Sequence, residues 1–373
     1  MDNIKAVKAL RHPTFYLPLG DLVVQSASDE YSTQVVLFRV NKSILAFNSP
    51  VFADMFTLPT TAVQELYDGA PMVCLTDTAE ELTALFSALH NPSFLSFSRF
   101  DPDIPAKLTN VMRIATKYQI DTVRRRIIDI MHDSWPQTFE HWLRYQSEIA
   151  VLRTMHAGRD DGLVDGKSFE ECIPEPASAI RFAQDFDVPS ILPFAFYTLA
   201  GIPIHHDWDE MRKGNGHKRS ANARTQSRTA RWDLLDVQDY KKVMAYREAL
   251  AERVCQVVLA RYGREEAICS MIPTGTCTEL SEGPYGGYGD RPDCNGAMYQ
   301  ALELWKDLDT GILREDALTH ATGHPDPLGL LEQLYNSHPQ WKICRACQES
   351  LQKDIRESQE VIWQNKFLYG HSS

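Results

Sequence analysis

Cys344 and Cys347, in the run CRAC, are the residues of this sequence best spaced to do chemistry. A C-x-x-C turn offers two thiolates to one metal ion without strain, and a tetrahedral zinc site needs four such ligands. Cys277 and Cys294, in a Gly-rich stretch upstream, are the other two candidates, with His320 and His324 as substitutes. The interval from Cys294 to Cys344 is too long to be diagnostic, so two readings stand. Either a structural zinc sits on Cys277, Cys294, Cys344 and Cys347, or these are free thiols and the chain carries no cofactor. A redox role is disfavoured, because no thioredoxin-like βαβ pattern precedes the pair.

Other chemistry-bearing stretches fall short of a motif. GPYGGYG, residues 283 to 289, has no strand before it and no Lys-Ser/Thr after it, so it is not a phosphate loop. HATGH, residues 320 to 324, lacks the Glu of H-E-x-x-H, and no G-x-S-x-G elbow occurs. His205-His206-Asp207 comes after a Pro-containing turn and reads as a surface loop. Without a recognisable constellation no catalytic residue is assigned, and the expected function is non-enzymatic.

Charge narrows the partners. A net charge of −12 argues against a general nucleic-acid surface, which needs clustered Lys and Arg to release counterions. One tract runs the other way: Arg212 to Arg231 holds seven Lys or Arg and no acid. It reads as a solvated loop, as a nuclear-import or phosphorylation segment around Ser220, Thr225, Ser227 and Thr229, or as an arm for an anionic partner. The start, MDNIKAVKALRHPTFY, lacks the apolar core of a signal peptide. No apolar run approaches the roughly 18 residues of a membrane span. The expected location is cytoplasmic, nuclear or both, with no membrane partner.

Periodicity indicates which elements position these residues. DLVVQ (21–25) and QVVLFRV (34–40) read as a β-hairpin. Two short helices come next, at about 42–47 and 50–56, because Asn48, the N-cap Ser49 and the first-turn Pro50 break one longer helix. That pair carries Ile44, Leu45, Phe47, Val51, Phe52, Met55 and Phe56. At about 1.5–3 kcal/mol each, burial of all seven would contribute roughly 10–20 kcal/mol, so most of them are expected in a core. A strand at 71–75 precedes a helix opened by Asp77 and Thr78, with Leu82, Leu85, Phe86 and Leu89 on one face. Helices over IPAKLTNVMRIATKYQI and TVRRRIIDIMH complete this part. Beyond it, helices are expected at about 138–156, 176–200, 236–263, 297–308, 327–335 and 343–366, which favours an α+β domain with a helical region after it.

Several of these residues also stand in a known order. Gly20-Asp21-Leu22-Val23, Phe38-Arg39-Val40-Asn41-Lys42-Ser43-Ile44-Leu45, Ser49-Pro50-Val51-Phe52 and Met55-Phe56 resemble the signature of the BTB (POZ) domain. RIATKYQIDTVRRRI resembles that fold's last two helices. The segments AIRFAQDFDVPSILPFAFYTLAG, DPLGLLEQL, ICRAC and IRESQEVIWQ are similar to the region C-terminal to the domain in a large set of fungal BTB proteins. The resemblance implies an α+β fold: a BTB domain with a small sheet flanked by helices, then a mostly α-helical C-terminal region. The expected parts are an N-terminal arm at 1–16, the BTB domain at 17–132, a helical extension at 133–210, a basic linker or loop at 211–232, and a helical region at 233–373. Signature positions are Asp21, Phe38, Val40, Lys42, Leu45, Ser49, Phe52, Met55 and Phe56.

The family's implied function is protein–protein interaction or scaffolding. Two alternatives stand beside it, an adaptor of a cullin-type ubiquitin ligase and a transcription-associated nuclear factor. Ile4, Val7 and Leu10 correspond to the N-terminal helix that family members exchange in a homodimer. Val63 and Glu65 belong to a hydrophobic-x-Glu triplet of the kind that cullin-binding members carry after the Met-Phe.

Overall fold

The computed structural model describes residues 8–28, 34–58, 65–91, 93–210, 212, 228–253, 326–337 and 344–364. The chain divides into two compact units. One runs to Trp135 and includes Glu171–Pro174 and Phe182–Val188; the other holds Pro136–Glu170, Glu175–Arg181 and the chain from Pro189.

A five-stranded sheet organises the first unit. Its strands are β1 (Lys8–Tyr16), β2 (Leu22–Gln25), β3 (Gln34–Val40), β4 (Leu66–Tyr67) and β5 (Ala70–Cys74), in the order β1-β3-β2-β5-β4. The expected hairpin forms, with β2 antiparallel to β3 in the register Leu22↔Val40 and Val24↔Phe38. β2 lies in the middle and is apolar on both faces: Leu22, Val23 and Val24 are all fully buried. Gly20 precedes it because any Cβ there would lie 2.8–2.9 Å from Arg39 and Val40 atoms. β5 runs parallel to β2, and β4 returns antiparallel to β5 through Asp68 and Gly69, both at positive φ as a two-residue hairpin turn requires. Lys8–Arg11 of β1 lie parallel to Gln34–Leu37 of β3. Leu10 is thus on a strand, not in the helix expected of the N-terminal arm; Ile4 and Val7 lie outside the described residues.

Helices of the first unit occupy the expected places: α1 (Lys42–Asn48), α2 (Pro50–Thr57), α3 (Ala79–His90), α4 (Ile104–Lys117) and α5 (Asp121–Ser134). α3 opens with a capping box, in which Thr78 Oγ1 accepts from Glu81 N at 3.2 Å and Glu81 Oε2 accepts from Thr78 N at 3.0 Å. Its Phe86 meets Phe38 of the sheet, ring centroids 5.1 Å apart. α4 buries Leu108, Val111, Met112 and Ala115 on the face that the sequence pattern assigns.

The second unit is helical: α6 (Phe139–Ala157), α7 (Pro176–Asp185, entering it by its first turns), α8 (Leu192–Ala200), α9 (Val237–Arg253), α10 (Pro327–Ser337) and α11 (Arg345–Gln364). The single helix expected at 176–200 is two, because Asp187 sits at positive φ and Pro189 begins a 3₁₀ turn. Trp363 of α11 packs near Phe139 and Trp142 of α6 and Phe194 of α8, at 6.0–6.4 Å between centroids. Two of these helices start with an acid before Pro. Glu175 accepts from Ala177 N and Ser178 N, and Asp326 accepts from Gly329 N, so each acid satisfies donors that a helix start leaves open. Arg247 of α9 donates to the carbonyls of Ala200 and Ile202, closing the C-terminal end of α8.

Candidate interaction surface

The bend between α1 and α2 is built around Ser49. Its N–H donates to Leu45 O at 2.9 Å, ending α1, and its Oγ accepts from Phe52 N at 3.1 Å, starting α2. The same hydroxyl donates to Tyr118 O at 2.6 Å, which fastens the bend to the end of α4. Pro50 fits the first position of α2 because its missing N–H would have no partner there. Asp21 holds the other end: its carboxylate accepts from Lys42 N at 2.7 Å, whereas the neighbouring Asn41 side chain makes no cap. Phe52 stacks on Tyr118, centroids 4.3 Å apart.

This anchoring uses little of the pair's apolar surface. Of the seven large apolar residues only Leu45 and Phe52 are buried. Ile44, Val51, Met55 and Phe56 are half-buried, and Phe47 is 89% exposed, with Leu58 beyond α2 at 69%. The expectation that most of the seven form core is therefore corrected: the pair is fastened to the end of α4 through Tyr118, and Phe47 faces solvent. Among the signature positions Phe38, Val40, Leu45, Ser49 and Phe52 are buried, Met55, Phe56 and Lys42 are half-buried, and Asp21 is exposed. Lys42 Nζ lies 5.8 Å from the Phe56 ring.

A second exposed feature is the sheet's outer strand. Leu10 is 40% exposed, and of the nine residues of β1 only Phe15 is buried. Arg11 and Tyr16 bond the Asp68 carboxylate in the β4–β5 turn, tying together the two outermost strands across the cluster of Val23, Leu37 and Ala70. Glu65 is exposed beside β4, where its carbonyl accepts from Met72 N; Val63 lies outside the described residues. Sequence reasoning missed both β1 and β4. Asp68-Gly69 is the local signal for the second, while β1 alternates too weakly to announce itself.

The remaining candidates resolve differently. Cys344 is half-buried at the start of α11 and Cys347 is buried within it; Cys277, Cys294, His320, His324 and GPYGGYG lie outside the described residues. Among the described residues no group of three His, Cys, Asp or Glu is placed to hold a metal. His206 and Asp207 belong to an anchored turn: His206 O accepts from Ala230 N and Trp232 Nε1, and Asp207 pairs with Ala230. Trp208 is buried with the Arg212 guanidinium 3.3 Å and the Arg231 guanidinium 4.4 Å from its ring centroid, and Arg212 pairs with Glu170 at 3.1 Å. Arg212 and Thr229 to Trp232, at the ends of the tract expected as a basic linker or loop at 211–232, are packed; 211 and 213–227 lie outside the described residues.

Strongly perturbed groups serve architecture. Burial, then the hydrogen bond to Asp77, pushes the Tyr118 hydroxyl far above its usual range. Asp77 also takes Lys117 Nζ at 2.5 Å, so the pair locks the start of α3 to the end of α4. Burial and the neighbouring Asp326 raise Tyr197 likewise. Among the described residues no helix is long and apolar enough to cross a membrane. No protein-family model matches the chain, and a search of curated proteins finds no match.

Proposed function

We propose that the chain is a non-enzymatic interaction protein of BTB type, and that the outer face of the α1–α2 pair docks a second copy of the chain. The observation that carries this is the mismatch at that pair. It holds seven large apolar side chains, buries two, half-covers four and leaves Phe47 in solvent with Leu58 just beyond α2, and apolar surface left uncovered is a candidate contact site. The element order supports the BTB reading: a hairpin, two short helices, a strand parallel to the hairpin's first strand, then three helices. Self-docking suits a helix pair that leaves Phe47 in solvent and carries both Lys42 and an exposed Asp54, because a two-fold contact brings the same patch against itself and can set unlike charges opposite one another.

Light scattering on the full chain at tens of micromolar concentration tests it. A dimer is expected for the wild type and a monomer for Phe47→Glu, with unchanged helical content in both. A monomeric wild type sinks the proposal of self-docking. The exposed Glu65 gives a second arm, in which the chain is passed over an immobilised cullin N-terminal domain; retention abolished by Glu65→Lys would move the reading to a ligase adaptor.

A further inference from the structure

Among the polar contacts that hold β1 in place, one is made by the His12 imidazole, whose Nδ1 lone pair is already used. The five steps from Arg11 to Tyr16 in β1 span the interval that two steps cover in β3, from Leu37 to Arg39. The surplus forms a bulge over His12-Pro13-Thr14-Phe15. His12 closes it, since its Nδ1 accepts from Thr14 N at 3.2 Å and Phe15 N at 3.0 Å, the part an Asn or Asp side chain plays in an Asx turn. An accepting Nδ1 places the ring proton on Nε2, which lies 3.2 Å from Thr83 Oγ1. Thr83 gives its own proton to Ala79 O at 2.6 Å, so its oxygen is free to accept. The ring also stacks on Phe38, at 4.8 Å, and on Phe15, at 5.3 Å. A protonated Nδ1 would point an N–H at two N–H groups and lose both bonds.

We propose that His12 is a proton-operated latch, in which protonation opens the bulge at residues 12–15 and withdraws Phe15 from its place beside Phe86 and His90. Arg11 and Tyr16 stay tied to Asp68, so the strand remains tethered while the bulge opens. Surrounding charges do not oppose this. On α3, the face that carries Thr83 and Phe86 also carries His90, whose Nδ1 is bonded to Phe86 O. Glu80 and Glu81 turn to Asn110 and Arg113 of α4, and on β3 Arg39 donates to Gly20 O. Burial of the ring further lowers its affinity for a proton. The latch does not depend on what the α1–α2 face binds.

Hydrogen exchange of the Thr14 and Phe15 amides in the full chain, corrected for intrinsic rates, is the test. An opened His12 takes up a proton near pH 6.5 and the latched ring does not, so the opening constant should rise about tenfold between pH 7.5 and 5.5. His12→Asn keeps an acceptor for both amides and cannot titrate, so protection should persist and its pH dependence vanish. His90→Gln should leave the tenfold change in place. Equal wild-type protection at both pH values, or an undiminished pH effect in His12→Asn, overturns the latch. Should the variant be unstable, the ¹⁵N shifts of the wild-type ring decide: an Nε2–H tautomer still present at pH 6 supports the latch, and an ordinary titration refutes it.

Discussion

The α1–α2 pair and α8 start from similar material and end in opposite states. Both are short and rich in large apolar residues, and each has Pro near a helix start. In α8, Phe194 to Ala200 are all buried, because the helix is met from several sides: by Tyr145 of α6, Tyr246 of α9, Trp363 of α11 and, through the Tyr197 hydroxyl, Asp326 before α10. In the pair, Leu45 and Phe52 are covered and Phe47 stands in solvent. Apolar composition therefore sets how much surface is available to bury, and the number of neighbouring elements sets how much is buried. Where neighbours run out, the uncovered side stays in solvent.

Substitutions can break or sharpen that contrast. Phe194→Ala in α8 and Phe52→Ala in α2 should each cost about 3–5 kcal/mol, read as a fall in the denaturation midpoint of the unit concerned; a loss under ~1 kcal/mol at either site would mean that the ring is not closely packed there. Ser49→Ala should cost about 1–2 kcal/mol, since the cap of α2 and a buried bond to Tyr118 O disappear together. Thermal unfolding alongside Ser49→Thr, which keeps the hydroxyl, separates loss of the bonds from loss of volume.

Glu81→Gln should cost about 0.5–1 kcal/mol near neutral pH. Burial alone would raise the Glu81 carboxyl, but the Thr78 N–H and hydroxyl and the Arg113 guanidinium hold it below its ordinary value of 4.5. A carboxyl lowered in the folded state stabilises fully above the unfolded value and loses that contribution as pH falls through the folded one. The gap between wild type and Glu81→Gln should accordingly narrow below about pH 4.5, and a gap constant from pH 7 to 3 would contradict the charged capping box. The smallest effect belongs to Phe47→Ser, which should alter monomer stability by less than about 0.5 kcal/mol while weakening self-association. A large stability loss there would show that the side chain is covered within the chain.

Most of the first unit is legible in the residues. The hairpin, the break at Asn48 to Pro50, the parallel strand before α3, and the faces of α3 and α4 all rest on patterns within a few positions. The edges of the sheet are less so. β1 has one buried residue in nine, so no alternation marks it, and its partner Gln34–Leu37 lies beyond the first hairpin turn. For the candidate surface, sequence located the apolar helix pair but overstated its burial, because amphipathic spacing does not say how many sides of a short helix will be met. At the basic tract, the guanidiniums of Arg212 and Arg231 about Trp208 gather residues that look like scattered charge along the chain.

By itself the sequence determined the helix starts at Ser49-Pro50, Thr78 to Glu81 and Asp326-Pro327, together with the Asp68-Gly69 turn. These are contacts between residues two to four apart, complete as soon as the backbone takes its local shape. Only the tertiary structure decided that Phe47 stays uncovered, that β1 lies parallel to β3, and that the His12 ring uses its lone pair on two backbone amides while Thr83 takes its proton. Those outcomes need partners brought from tens of residues away, and the side-chain types at either end do not name one another.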